Sequence, residues 1–260
     1  MSTTPQAALV DEACRPYRKA GLFAYFFARS KLRRDPVYRA ILEHGLLVGR
    51  SRILDLGCGQ ALLTAWLRAA ARVFDRGYWP EAWPAAPKPI STRGIELMAR
   101  DVHRARSALG ADTEVVTGDI RHTEFGTADA VVVLDVLHYM GTDAQREVLG
   151  RVRLALPPNG LLLLRICDAG GGLRYHYTQW VDKIVMWSRG HATMAPHCRS
   201  VAEWQTLLRE SGFASEAQPM SQGTPFANVL LIAHAVPMEV PGSSARLVDH
   251  QTRDAVVAGD

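Results

Sequence analysis

One corner of the sequence restricts the fold more than any other. Arg52–Leu56 reads as a short buried strand, Gly57-Cys58-Gly59 breaks it with a tight turn, and residues 62–73 resume with apolar side chains at helical spacing. A strand, a glycine turn and a helix N-terminus in succession make a nucleotide-binding corner. Glycine lets the backbone come close to a ligand, and the first turn of the helix offers unpaired amide donors. Asp55 stands just before the first glycine. A carboxylate there suits a ligand carrying an amino cation better than it suits a pyrophosphate.

The alternation continues down the chain. Residues 92–97 resume the strand pattern and carry Glu96 near their end; residues 98–109 read as a helix closed by Gly110. Residues 114–117 form a third strand, followed by Gly118-Asp119, and the Val-rich run 130–134 fits a strand buried on both faces of a parallel sheet. An amphipathic helix at 143–156 is stopped by Pro157, Pro158 and Gly160, and 161–166 is a fifth buried strand. Ser200 and Glu203 stand at capping-box spacing ahead of a helix over 200–211, and two last strands follow at 214–220 and 228–236. Alternating strands and helices predict an α/β protein with a doubly wound, mostly parallel sheet, seven-stranded once the final pair is added.

Three stretches stand outside that pattern. Residues 1–46 are expected to be a leader and cap helices: 1–8 loose, 11–46 helical, with Pro36 opening a second helix. Leu22, Phe23, Tyr25, Phe26 and Phe27 cluster there among Arg and Lys residues. They suit a membrane-surface helix, part of a lid over an apolar substrate, or a helix packed on the sheet. The main domain is expected over 47–237, interrupted at 75–92, where Trp79, Pro80, Trp83, Pro84, Pro87 and Pro89 exclude a regular element. That insertion is either functional or a surface decoration pinned by its tryptophans. The polar residues 238–260 read as a flexible tail.

Composition bounds the function classes. With 260 residues, 48% hydrophobic and 22% charged, the chain has the make-up of a soluble globular protein with room for one α/β domain. The net charge of +4 is spread along the chain and does not call for nucleic acid. Four cysteines far apart, with no CxxC pair, point to free thiols in a reducing cytoplasm. No secretory leader pattern is visible, and the longest apolar stretch near the start, 21–28, is too short to span a bilayer. A soluble, cytoplasmic protein with no transmembrane segment is expected. His191, His197 and Cys198 do not match a zinc spacing, so no metal is expected.

With these elements placed, the chain resembles the class I S-adenosylmethionine-dependent methyltransferases, Rossmann-like enzymes, over roughly residues 52–236. Ile53-Leu54-Asp55-Leu56-Gly57-Cys58-Gly59-Gln60-Ala61 is close to the family's acid-x-Gly-x-Gly-x-Gly loop. Glu96 stands at the end of the second strand, Gly118-Asp119-Ile120 after the third, and Asp135-Val136-Leu137-His138-Tyr139 after the fourth; Leu156-Pro157-Pro158-Asn159-Gly160 precedes the fifth. Two departures are present: Ala61 replaces the third glycine, and the insertion at 75–92 roughly doubles the usual ~20-residue gap to the ribose acid. A finer likeness joins Thr178-Gln179-Trp180-Val181-Asp182-Lys183, Arg189-Gly190-His191 and Gly223-Thr224-Pro225-Phe226-Ala227-Asn228 to methyltransferases of bacterial aryl-polyene and xanthomonadin-type pigment clusters.

The resemblance implies a methyl transfer from S-adenosylmethionine to a small acceptor, an aromatic or polyene acyl group, free or on an acyl carrier protein. It implies a cofactor site of Asp55, Gly57, Cys58, Gly59, Glu96, Leu97, Asp119, Ile120 and Asp135. Asp55 would meet the cationic methionine end, and Glu96 would accept the ribose hydroxyls. Asp119 would take the adenine amino group, with the Ile120 amide beside it. His138 and Tyr139 are the catalytic candidates, His138 as base, although a histidine there can equally cap a turn. Arg165, Asp168, Arg174, His176 and Trp180, at or after the fifth strand, are candidates for the acceptor pocket. Two alternatives stay open. One is a nicotinamide-dependent Rossmann oxidoreductase, disfavoured because Leu62 stands where the dinucleotide fingerprint wants a small residue. The other is a non-catalytic cofactor-binding partner in a biosynthetic complex.

Overall fold

The computed structural model describes residues 5–172 and 197–237. The chain opens with α1 (Pro5–Cys14), a 3-10 segment (Arg15–Ala20), α2 (Leu22–Arg34) and α3 (Pro36–Glu43). The α/β part follows as β1 (Arg52–Leu56), α4 (Leu62–Asp75), β2 (Ser91–Glu96), α5 (Ala99–Leu109), β3 (Val115–Thr117) and β4 (Ala130–Leu134). After a 3-10 turn at Leu137–Tyr139 come α6 (Thr142–Ala155), β5 (Leu161–Cys167), α7 (Val201–Glu210), β6 (Phe213–Pro219) and β7 (Asn228–Ala235). One expectation is corrected: residues 5–8 belong to α1 instead of a loose leader. Pro5 sits in the first turn, where its missing N–H costs nothing, and the helix is held by buried Leu9, Val10, Ala13 and Cys14 further along. The weak apolar content of residues 5–8 hid that start.

The seven strands form one sheet in the order β3-β2-β1-β4-β5-β7-β6. The first five are mutually parallel, while β7 runs antiparallel to β5 and to β6. In register, Leu54 of β1 lies between Arg93 of β2 and Val131 of β4. Side chains alternate across the sheet with the two-residue period of a strand. Ile53, Ala130, Val132, Leu161 and Leu163 face a core shared with α1–α4, and Leu54, Leu56, Val131, Val133 and Leu164 face one shared with α6 and α7. Val131, Val132 and Val133 are wholly buried, which contributes about 1.5–3 kcal/mol each and explains the unbroken apolar run.

The N-terminal helices are bolted to that core by polar contacts as well. The Tyr17 hydroxyl donates to the Gln60 carbonyl at 2.7 Å, and the Trp66 indole of α4 donates to the Tyr38 carbonyl of α3 at 2.8 Å. Buried Glu12 of α1 pairs with Arg72 of α4 and with Arg76, which caps the end of that helix. The Trp/Pro insertion is irregular between α4 and β2, as expected. The Trp79 indole donates to the Pro84 carbonyl at 2.8 Å, and the Trp79 and Trp83 rings meet edge to face at 5.5 Å against the α1–α4 core. The tryptophans therefore pin the loop.

From β1 the chain winds outward through β2 to β3, then returns to β4 on the other side of β1 and continues to β5. The carboxyl ends of β1 and β4 thus flank the point where the winding reverses. That crevice is where an open α/β sheet binds its ligand.

Candidate active site

A cavity of about 820 Å³ opens over the carboxyl ends of these strands, within the size range of small-molecule sites. Asp55, Gly57, Cys58 and Gly59 form one wall, Glu96, Leu97, Asp119 and Ile120 the next. Asp135, His138, Tyr139 and Arg165 face them from the β4 and β5 side. The structure brings all of these expected residues to one cavity. Arg174, His176 and Trp180 lie outside the described residues. Asp168 does not line the cavity: its carboxylate accepts from the Gly170 amide at 2.9 Å and the Val201 amide at 3.2 Å, so it fixes the turn after β5 and the start of α7. Among the described residues no group of side chains is arranged to hold a metal ion, and His197 and Cys198 form no such group.

The glycine corner is tight for a physical reason. Gly57 has φ +72°, and a Cβ there would come within 2.4 Å of Val136 Cγ2. Its amide and that of Cys58 donate to the Ile95 carbonyl at 2.8 and 3.2 Å, which locks the turn to the end of β2. Glu96 braces it from the other side: Oε2 accepts from the Gly59 amide at 2.9 Å and Oε1 from the Met98 amide at 2.8 Å. Each oxygen keeps a second lone pair for a ligand hydroxyl.

Asp55 is the anomaly of the site. It is buried, and among the described residues no donor is bonded to it. Burial, followed by the nearby Glu96 carboxylate, pushes its carboxyl up to about 7. A buried acid beside a second acid is poised to receive a cation. The ammonium of S-adenosylmethionine answers that need, and Gly59, where a Cβ would meet nothing within 4 Å, leaves the backbone beside it open to a ligand, so the residues present fit that cofactor.

Asp119 is less open than its position suggested. Arg121 Nε reaches its two oxygens at 3.0 and 2.9 Å, and the Arg121 amide donates to Oδ1 at 2.9 Å. The side-chain bond to Arg121 holds the Asp119 carboxyl below its ordinary range, although burial works the other way. Any adenine contact must share the carboxylate with that guanidinium.

Asp135 and Arg165 depart further from the expected roles of cofactor and acceptor contacts. Arg165 is fully buried; its Nε donates to Asp135 Oδ1 at 2.8 Å, and its two terminal nitrogens bond Asp135 and Asp35. Lys31 completes the cluster, 2.9 Å from Asp35 and 3.5 Å from Asp135. Burial raises both carboxyls, but Arg165 and then Lys31 outweigh it and hold each below the usual carboxylate range. Asp35 also caps α3, accepting from the Val37 amide at 3.1 Å. Arg165 is therefore committed to a neutral four-charge cluster. Asp135 holds its loop at φ +60°, an unusual backbone for a residue with a side chain. Lys31 and Asp35 were not foreseen as site residues. Pro36 marks the start of α3 in the sequence, but nothing there marks the bond from Asp35 to a partner 130 residues later.

His138 is buried on the 3-10 turn after β4, its ring 4.1 Å from that of Tyr139. Its carbonyl accepts from the His197 amide at 2.7 Å, which ties the turn to the segment ahead of α7. Gln145 reinforces that junction, donating to the carbonyls of Leu137, Met140 and His197.

A glycine-braced corner at the switch point of a seven-stranded sheet ending in an antiparallel pair is the fold of the class I methyltransferases. A family model described as a methyltransferase domain matches residues 15–218, and the chain belongs to that family. The nicotinamide-oxidoreductase alternative falls with that match. Curated relatives include the carboxy-S-adenosyl-L-methionine synthase of Chromohalobacter salexigens, 30% identical over 129 residues, which are 48% of this chain and 42% of that protein. The Pasteurella multocida protein of the same name is 23% identical over 171 residues, covering 57% and 63%. The chain thus spans less than two thirds of either relative. Among solved structures, an O-methyltransferase family protein from Burkholderia thailandensis superposes with a TM-score of 0.59 at 20% identity, covering 85% of this chain and 63% of that one. The magnesium protoporphyrin IX methyltransferase of Synechocystis PCC 6803, with bound SAH, gives 0.53 at 16% identity, covering 88% and 97%. At such identities the likeness is one of fold. No helix of the described residues is long and apolar enough to cross a membrane.

Proposed function

We propose that the chain transfers a methyl group from S-adenosylmethionine to a small aromatic or polyene acyl acceptor, free or presented by a carrier protein, in the cytoplasm. The observation that carries the reading is Asp55: a buried carboxylate without a protein donor, beside a glycine turn, facing a cavity large enough for cofactor and acceptor together. Asp55 takes the ammonium, and Glu96, already braced by two amides, accepts ribose hydroxyls with its remaining lone pairs. Leu97 and Ile120 flank the adenine, and Asp119 accepts its amino group.

When bound, the cofactor supplies an activated methyl on a sulfonium centre, so the chain's own residues need only bind, orient and exclude water. Phe27, Tyr139, Met140 and Phe226 give the other part of the cavity an apolar lining that favours an aromatic acceptor. His138 stands at the carboxyl end of β4 to accept a proton from an acceptor hydroxyl at its imidazole, with Tyr139 against it. The Asp35–Arg165–Asp135–Lys31 cluster fixes the wall behind them.

Titration with S-adenosylhomocysteine tests the cofactor half. Glu96→Ala should weaken binding tenfold or more, the scale of one or two lost charge-assisted bonds; unchanged affinity would remove Glu96 from the site. A radiolabelled methyl assay on aryl acids, free and carrier-bound, tests the acceptor half. Intact homocysteine-form binding with no transfer across that panel would point to a non-catalytic partner. The curated relatives motivate a second reading, in which S-adenosylmethionine is itself the substrate and leaves carrying a carboxyl group. Mass spectrometry of the recovered nucleoside separates the two: S-adenosylhomocysteine supports methyl transfer, a carboxylated S-adenosylmethionine the alternative.

A further inference from the structure

Helix α2 is packed the wrong way round for a helix that serves only the core. The residues it buries are Ala24, Ala28 and Leu32, one per turn along a narrow strip. The large apolar side chains of its first two turns face outward: Leu22 is 76% exposed, Phe23 63%, Phe26 61% and Phe27 41%. Among the described residues, four of the large apolar side chains left in water thus share two turns of a single helix, whereas Val48, Tyr78, Ile90, Leu97, Leu154 and Val236 are scattered. Isolated exposed apolar residues need no explanation, but a cluster on one convex face does.

The charge around that face is predominantly positive, although Asp11, which flanks Phe26, pairs with Arg29, and Asp101 pairs with Arg104. The helix, Leu-Phe-Ala-Tyr-Phe-Phe-Ala-Arg-Ser-Lys-Leu-Arg-Arg, contains no acid, and Arg18 and Lys19 precede it. At 100° per residue, Leu22, Phe23, Phe26 and Phe27 share their outward face with Ser30, Arg33 and Arg34 one to two turns later. The face is therefore hydrocarbon in its first half and cationic in its second. Arg104 of α5 adds a guanidinium 4.5 Å from the centre of the Phe23 ring. Hydrocarbon flanked by cations matches the boundary of an anionic bilayer, with acyl chains beneath a layer of phosphates.

The helix also runs to the cavity. Phe27 at the end of its second turn, with Ser30, Lys31 and Arg34 beyond it, lines the mouth of the active-site cavity. A surface seated on Leu22, Phe23 and Phe26 would lie against that mouth. We propose that α2 docks the protein on anionic phospholipid bilayers, its first two turns in the headgroup–acyl boundary and its arginines among the phosphates, so that the cavity opens toward the membrane. This holds whatever the acceptor is.

Co-sedimentation of the full chain with vesicles tests it. The protein should pellet with phosphatidylcholine vesicles containing phosphatidylglycerol, much less with phosphatidylcholine alone, and release as salt is raised. Leu22→Ser with Phe26→Ser, neither of which lines the active-site cavity, should cut the partition coefficient about tenfold or more. Circular dichroism and an unchanged thermal shift with S-adenosylhomocysteine would show that the double variant is folded with its cofactor corner intact. Protein that stays in the supernatant with anionic vesicles, or a double variant that binds like the parent, would overturn the proposal. So would light scattering that finds a dimer in the parent and a monomer in the variant, because a second copy would then cover the face.

Discussion

Replacing Arg165 by methionine removes a guanidinium that is completely buried between Asp35 and Asp135, while keeping most of its hydrocarbon stem. The variant leaves two carboxylates facing each other at the end of β4 and the start of α3. Removing one partner of a buried charge pair costs about 3–5 kcal/mol, because the remaining charge is uncompensated. Lys31 stays within reach of both carboxylates, but its side chain is 36% exposed and screened by water, so the lower end, about 3 kcal/mol, is expected. For a chain of this size that corresponds to a Tm lowered by roughly 10 °C. Urea denaturation followed by circular dichroism at pH 7 and pH 5 gives a second handle. In the parent the folded carboxyls are depressed, so their stabilisation is complete above the unfolded value near ~4 and is lost only as pH falls through the lower folded values. In the variant, burial without the guanidinium raises them. The folded state then takes up protons that the unfolded chain does not bind, and acidification from pH 7 toward pH 5 favours it. The stability gap should therefore narrow at pH 5. Adding Asp135→Asn to Arg165→Met should recover part of the loss, since one orphaned charge disappears. A gap under about 1 kcal/mol at pH 7, or one that ignores pH, would refute the cluster's role.

Three further outcomes follow from the site and its surroundings. Asp55, raised to about 7, is protonated when folded across a window from ~4 to ~7 in which the unfolded chain is not, so the ligand-free protein should lose stability as pH rises through it. Its affinity for a cationic ligand should rise over the same range; thermal shifts with S-adenosylhomocysteine should be larger at pH 8 than at pH 6, and Asp55→Asn that keeps both slopes would contradict the assignment. Gly57→Ala should cost about 2–3 kcal/mol and abolish the ligand's thermal shift, because φ is +72° and the new methyl would stand 2.4 Å from Val136. Ser200→Ala should lower stability by about 1 kcal/mol in a denaturant titration, since Ser200 accepts from the Glu203 amide at 3.3 Å in a complete capping box; no change would mean the cap is dispensable.

What the sequence discloses here is governed by range. Strand β4 is legible to the residue because burial on both faces leaves an unbroken apolar run, β1 because a glycine turn ends it, and the capping box of α7 because its partners are three residues apart. The cofactor corner was legible for the same reason: turn, acid and helix are contiguous, and Glu96 stands at a strand end that periodicity locates. The charged cluster was not. Pro36 marks the start of a helix in the sequence, but nothing there singles out the Asp35 that caps it, and Arg165 reads only as an arginine near a pocket; their bond spans 130 residues and leaves no local pattern. Arg121, two residues from Asp119, was within sight, but a neighbouring basic residue does not announce which carboxylate it will clamp. The aromatic cluster of α2 carried three readings in the sequence, and only the exposure of its phenylalanines against the burial of Ala24 and Ala28 separates them.

The bond between Asp35 and Arg165 also sets a clock. Asp35 leaves the ribosome 130 residues before the guanidinium that neutralises it. At about 5–20 residues per second, that is a wait on the order of ten seconds. Through it, α2 has its basic turns and its phenylalanines but no strand end to close against. A nascent chain of this kind would meet a chaperone, or a bilayer, well before it met the rest of itself.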